Sequence, residues 1–168
     1  MKSIFLLFWR ICIFQSGPET VPSSNAFVIT VIAVNALLNV VVQLLLGGDD
    51  GSLLRAVTLA VVSLAGTGGL IWFIMTLMQL GSRVPQTITA VFGVDIIMTT
   101  LTSILFAVAG SIEENIAVFV IALLTLWSLA IYGFIFHRAM NLHIGFGIAL
   151  ALFVVIFSVA ITQTAITP

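Results

Sequence analysis

The chain has 168 residues, of which 61% are apolar and 7% charged, with a formal net charge of −1. Soluble domains carry about 25% charged residues, so this composition argues against a water-soluble fold and for a surface that faces lipid. The near-neutral balance and the five scattered Lys and Arg residues offer no basic stripe, so nucleic acid is not an expected partner.

In chain order, the first stretch is MKSIFLLFWRICIF. It is too short to span a bilayer, Arg10 interrupts it, and no small-residue cleavage site follows. Ser3 and Arg10 fall on one helical face, and Phe, Leu, Ile and Trp9 cover the rest. The pattern predicts an amphipathic helix in the membrane interface, with Arg10 and Trp9 at headgroup level and an end at Gly17-Pro18. Packing on the bundle as an anchor is the simpler alternative. This helix and its linker form a region over 1–24, and the transmembrane domain follows over 25–168.

A transmembrane helix needs about 20 mostly apolar residues. Five runs qualify, at about 25–47, 53–79, 85–109, 115–137 and 143–164. The breaks between them are GGDDGS at 47–52, GSRVPQ at 81–86, GSIEEN at 110–115 and HRAMNLH at 137–143. Such short breaks make neighbouring spans antiparallel and leave no room for a domain outside the membrane. The fold class expected is therefore an all-α membrane protein: a five-transmembrane-helix bundle with an N-terminal interfacial amphipathic helix.

Lys2, Arg10, Arg83 and Arg138 fall on one side of this topology. Asp49, Asp50, Glu113 and Glu114 fall on the other, with Arg55 as the lone cation there. Cations gather on the cytoplasmic side. The expected orientation has the amino terminus in the cytoplasm and the carboxyl terminus outside, with Arg10, Arg83 and Arg138 as anchors at the cytoplasmic face.

Asp95 is the informative residue. It lies ten residues into the third span, about 15 Å deep and near the bilayer midplane. A carboxyl there costs about 2.5–3.5 kcal/mol on insertion scales, and no Lys or Arg sits at matching depth. Neutral hydrogen-bonding partners are expected instead. Thr87, Asp95, Thr99, Thr102 and Ser103 share a face of the third span. Asn35, Asn39 and Gln43 recur every four residues on the first, with Asn35 level with Asp95. The second span offers Ser63 and Thr67, and the fourth Thr125, Ser128 and Tyr132. Convergence of these faces would make an interior polar seam. Two readings of the seam are open: glue between helices, or a path for protons or a substrate.

Glycines are the second signal. Gly66, Gly68 and Gly69 interrupt the second span, Gly93 precedes Asp95 by two, and Gly145 and Gly147 open the fifth. Close helix packing is the expected role of Gly66, Gly68, Gly69 and Gly93; a kink at AGTGG is the alternative.

Other motifs are absent. The sequence holds no GxxxxGK[ST], HExxH or CxxC, and Cys12 is the single cysteine. His137 and His143 are spaced so that they do not share a ligand face, and no metal or cofactor is expected. No Ser or Thr has a His or Lys at its depth to activate it, so an enzyme is not expected.

Two stretches, FWRICIFQSGPETVP at 8–22 and RVPQTITAVFG at 83–93, together with five spans and tiny loops, resemble the Yip family (Ypt-interacting proteins) in its small bacterial inner-membrane form. The resemblance implies the bundle fold and a bacterial inner-membrane location, and it carries over no catalytic residues. The functional expectation is a non-enzymatic scaffold, assembly or membrane-organising factor. It would act within the lipid bilayer on membrane-protein partners or as a homo-oligomer. The alternative is a small transporter or channel subunit using the Asp95 seam.

Overall fold

The computed structural model describes residues 4–46, 52–109 and 114–164. Among these residues the chain forms six α-helices: α1 (Ile4–Cys12), α2 (Asn25–Leu46), α3 (Leu53–Leu77), α4 (Val84–Ala109), α5 (Glu114–Met140) and α6 (Ile144–Thr164). Five helices, α2 to α6, are long and apolar enough to cross a membrane. They coincide with the five predicted runs to within a few residues. The acids Asp49, Asp50 and Glu113, and Lys2 and Ser3 at the start, lie outside the described residues.

Each long helix satisfies its own backbone hydrogen bonds, which is what lipid requires. Their threonines are accommodated in the same way. Thr30, Thr58, Thr76, Thr100 and Thr125 each donate to the carbonyl four residues back, so these five hydroxyls are not left to the acyl chains. Ser52 caps α3 by accepting from the Arg55 backbone N–H at 3.2 Å.

The bundle closes on itself. α2 packs on α4, α4 on α5, α5 on α6, α6 on α3, and α3 back on α2. Five helices thus form a ring in which chain neighbours are not always ring neighbours: α4 sits beside α2, and α6 beside α3.

The tightest contact in the ring is between α5 and α6. A Cβ on Gly147 would collide with the backbone carbonyl of Gly133 and come within 3.0 Å of the His137 nitrogen. A Cβ on Gly133 would lie 3.0 Å from the Ile148 Cα. These two glycines let the backbones touch. Of the four glycines predicted to pack, Gly93 does so against the Phe8 ring of α1. Gly66 and Gly68 leave ordinary van der Waals room beside Ile161 and Phe92, and Gly69 faces open space. The expectation for Gly69 is therefore corrected: it points away from every neighbouring helix. α3 also runs through 66–69 as one continuous helix.

α1 docks on the outside of the ring against α4 and α5. Phe8, Ile11 and Cys12 are buried, and Arg10 is exposed. Phe8 stacks with Phe27, Trp9 meets Trp127 edge-on, and Trp127 Nε1 donates to the Cys12 carbonyl at 3.0 Å. The predicted end at Gly17-Pro18 falls too late. The helix stops at Cys12, where Phe14 turns left-handed with φ 59°. There Phe14 N–H bonds to the Ile11 carbonyl and Gln15 N–H to the Arg10 carbonyl. That pair is a Schellman closure.

The same device ends α3 at Gln79, with φ 60°. Left-handed backbone costs an L-residue roughly 1–2 kcal/mol, against the 0.5–1 kcal/mol of chain entropy that glycine adds. Gln79 is exposed, so Gln79→Gly should stabilise the bundle by up to about 1 kcal/mol. Thermal unfolding in detergent measures it.

Burial pushes the Cys12 thiol from its ordinary 9.0 up to about 11. A folded state that holds the proton more tightly keeps its full advantage below pH 9.0 and loses it as pH rises toward 11. Stability in detergent should therefore fall across that alkaline window, and Cys12→Ala should flatten the fall.

α5 continues three residues past its predicted end, so the connection to α6 shrinks to 141–143. His137 and Arg138 lie in the last helical turn, and His137 Nδ1 pairs with the Leu142 carbonyl. His143 starts α6: its Nδ1 accepts from the Gly145 N–H at 3.2 Å.

Candidate intramembrane site

Asp95 sits in the wall of the ring, where α2, α4 and α5 meet. Asn35 Nδ2 donates to its Oδ2 at 2.8 Å, and the Tyr132 hydroxyl donates to its Oδ1 at 3.0 Å. The Asn35 amide also reaches the Phe92 carbonyl at 3.1 Å. Asn39 Nδ2 donates to both the backbone and side-chain oxygens of Asn35, each at 3.0 Å. A chain of hydrogen bonds thus runs Asn39–Asn35–Asp95–Tyr132 across three helices.

The geometry follows from the topology. α2 and α4 are parallel neighbours, so residues equally far from their starts meet at one depth. Asn35 and Asp95 are such a pair. Asn35 is 1% exposed, and its amide can donate twice and accept twice, which suits a hub between two helices. Tyr132 arrives from the antiparallel α5. Among the described residues, no buried side-chain nitrogen or oxygen lacks a partner.

Two cavities flank this cluster. The first, about 290 Å³, lies at the centre of the ring and draws lining residues from all five spans. Its polar wall comprises Asn35 and Asn39 from α2, Ser63 and Thr67 from α3, Asp95 from α4, Ser128 and Tyr132 from α5, and Ser158 from α6. Thr67 donates to Ser158 at 3.0 Å on the side opposite Asp95. The second cavity, about 280 Å³, runs along α4 past Thr99, Thr102 and Ser103 to Phe106. At 1.5 Å per residue that places its far end about 16 Å from Asp95, toward the carboxyl end of α4. Asp95, Ser128 and Tyr132 line both cavities.

Toward the arginine-bearing end the interior of the bundle is apolar. One to two turns below the polar wall of the central cavity, Val31 of α2, Ile71 of α3, Phe136 of α5 and Ala151 of α6 are all buried. They form an apolar floor, with Phe136 the largest side chain in it.

Most of the predicted seam converges. Asp95, Asn35 and Asn39 are hydrogen-bonded together, and Thr99 and Thr102 face the second cavity. Gln43 does not join: it is exposed and lines neither cavity. A four-residue spacing advances slightly past one full turn of 3.6 residues, so the face rotates outward over two repeats. Thr125 is likewise exposed, and Thr87 is buried lower down, donating to the Arg83 carbonyl. Ser158 was not singled out from the sequence. Its signal was a hydroxyl inside the most apolar span, ahead of Thr162 and Thr164 at its end.

At the end that carries the cations, Arg83 donates to the Ala139 carbonyl at 3.0 Å. Arg138 pairs with Glu19 at 3.2 Å and lies over the Phe134 ring. Both tie the turn and helix ends together, whereas Arg10 does not join them: it is exposed beside Trp9, which packs on Trp127 in the middle of α5 and not at headgroup level as expected.

No protein-family model, curated protein or solved structure matches the chain.

Proposed function

We propose that the chain is a Yip-like, non-enzymatic multi-pass protein of the bacterial inner membrane, oriented with its amino terminus inside, that serves as a small transport subunit. Its bundle passes protons, or a small cation in their place, by way of Asp95. The observation that carries this reading is the position of Asp95 in the shared wall of two adjoining cavities. Glue between helices needs the hydrogen bonds but not the space on either side of them.

The chemistry required is modest. A carboxylate takes up a proton from water on one side and returns it to water on the other. Tyr132 can donate to the carboxylate or accept from the carboxyl, so its hydrogen bond survives both states. Access then alternates if the apolar floor around Phe136 opens while the outer cavity narrows. The test is reconstitution into liposomes loaded with a pH-sensitive dye. Proton entry that needs the protein and is lost in Asp95→Asn supports the proposal, and entry indifferent to Asp95 rejects it.

A second reading, a scaffold or assembly factor acting through membrane-protein partners, is favoured by α1. Its outer face leaves Ile4, Phe5 and Leu6 exposed, with Phe5 stacked on Trp9 against Trp127 in the middle of α5. Under this reading a specific membrane partner co-purifies in mild detergent and is lost in Phe5→Ser, while Asp95→Asn retains it.

A further inference from the structure

A separate pocket of about 230 Å³ opens at the end of the bundle where α4 begins and α5 finishes. Its wall carries Arg83 and Arg138 together with Glu19, Gln86, Thr87 and Asn141. We propose that this pocket holds the phosphate of an anionic phospholipid headgroup.

Position argues for lipid. The pocket lies at the ends of two membrane-spanning helices, which is where headgroups sit, and Phe14 meets Phe134 edge-on in the last two turns of α5. Charge argues for an anion: two guanidinium groups against one carboxylate leave one positive charge, which a monoanionic phosphodiester neutralises. The arginines are held ready for it. Arg83 is fixed by the Ala139 carbonyl through one of its five N–H donors, and a guanidinium matches phosphate geometrically. Arg138 is paired with Glu19, but both side chains are about half exposed, at 49% and 54%. Such a pair is weakly held, so Arg138 can turn to a phosphate without large loss. Gln86 and Asn141 supply neutral hydrogen-bonding groups for hydroxyls on the headgroup. Basic pockets between spans are known sites for anionic headgroups. The proposal is independent of the Asp95 reading, because the apolar floor separates the two sites.

The test uses the full chain in nanodiscs of equal parts phosphatidylcholine and phosphatidylglycerol. The protein is released gently into detergent, and the retained lipid is identified by native mass spectrometry. Retention of phosphatidylglycerol over phosphatidylcholine is expected, falling about ten-fold in Arg83→Gln. Glu19→Gln removes the competing carboxylate and should raise retention, a gain that a misfolded variant would not show. Equal retention of both lipids, or retention unchanged in both variants, overturns the proposal. Displacement of the lipid by an equal concentration of soluble glycerol phosphate overturns the lipid as the source of the phosphate.

Discussion

Asp95→Asn is expected to abolish proton flux in reconstituted liposomes while leaving the bundle folded. The substituted amide can keep both hydrogen bonds. Its oxygen accepts from Asn35, and its nitrogen donates to the Tyr132 hydroxyl, which accepts as readily as it donates. What the amide lacks is a proton it can release. Asp95→Leu separates the two roles. It removes the acceptor from Asn35 and Tyr132 together, and each polar group left unpaired inside the bundle costs about 1–3 kcal/mol. Asp95→Leu should therefore lower both stability and flux, whereas Asp95→Asn lowers flux alone. Dye-reported proton entry and thermal unfolding, measured on the same preparations, check the pair. Full flux in Asp95→Asn would leave the cluster as glue.

The second large effect is at the α5–α6 contact. Gly147→Ala should destabilise the bundle by about 2–3 kcal/mol, the upper part of the range for overpacking. The added Cβ meets backbone atoms of Gly133 and His137, which cannot swing aside as a side-chain end can. Gly69→Ala is the control with the opposite sign. Nothing lies within 4 Å of a Cβ at Gly69, and alanine is favoured over glycine in a helix by about 1 kcal/mol. Chemical or thermal unfolding in detergent should order the proteins Gly69→Ala, wild type, Gly147→Ala. A stable Gly147→Ala would mean that α5 and α6 do not approach as closely as the ring requires.

These predictions draw on both what was readable in the chain and what was not. Asp95 and Asn35 were readable because each is a strongly polar group in a run of apolar ones, and counting residues from the span starts placed them at one depth. Tyr132 and Ser128 appeared among the candidates for the same reason. Gly133 carried no comparable signal. It sits singly in α5, while the conspicuous AGTGG cluster drew attention to a helix face that turns outward at Gly69. Gln43 misled by its spacing, since recurrence every four residues does not keep a side chain on the inner face indefinitely.

The sequence by itself determined the number of membrane spans, their limits to within a few residues and the position of Asp95 along its helix. All three depend on local composition and on the rise of a helix, which neighbours do not change. Only the tertiary structure decided the ring order, the close α5–α6 contact, the docking of α1 and the two cavities that meet at Asp95. The physical reason is that lipid and protein interior are both apolar. A soluble helix marks its inner face by hydrophobic contrast, but α5 and α6 are apolar all round. Which face turns inward is then set by packing and by a few interhelical hydrogen bonds, and those exist only once the helices have met.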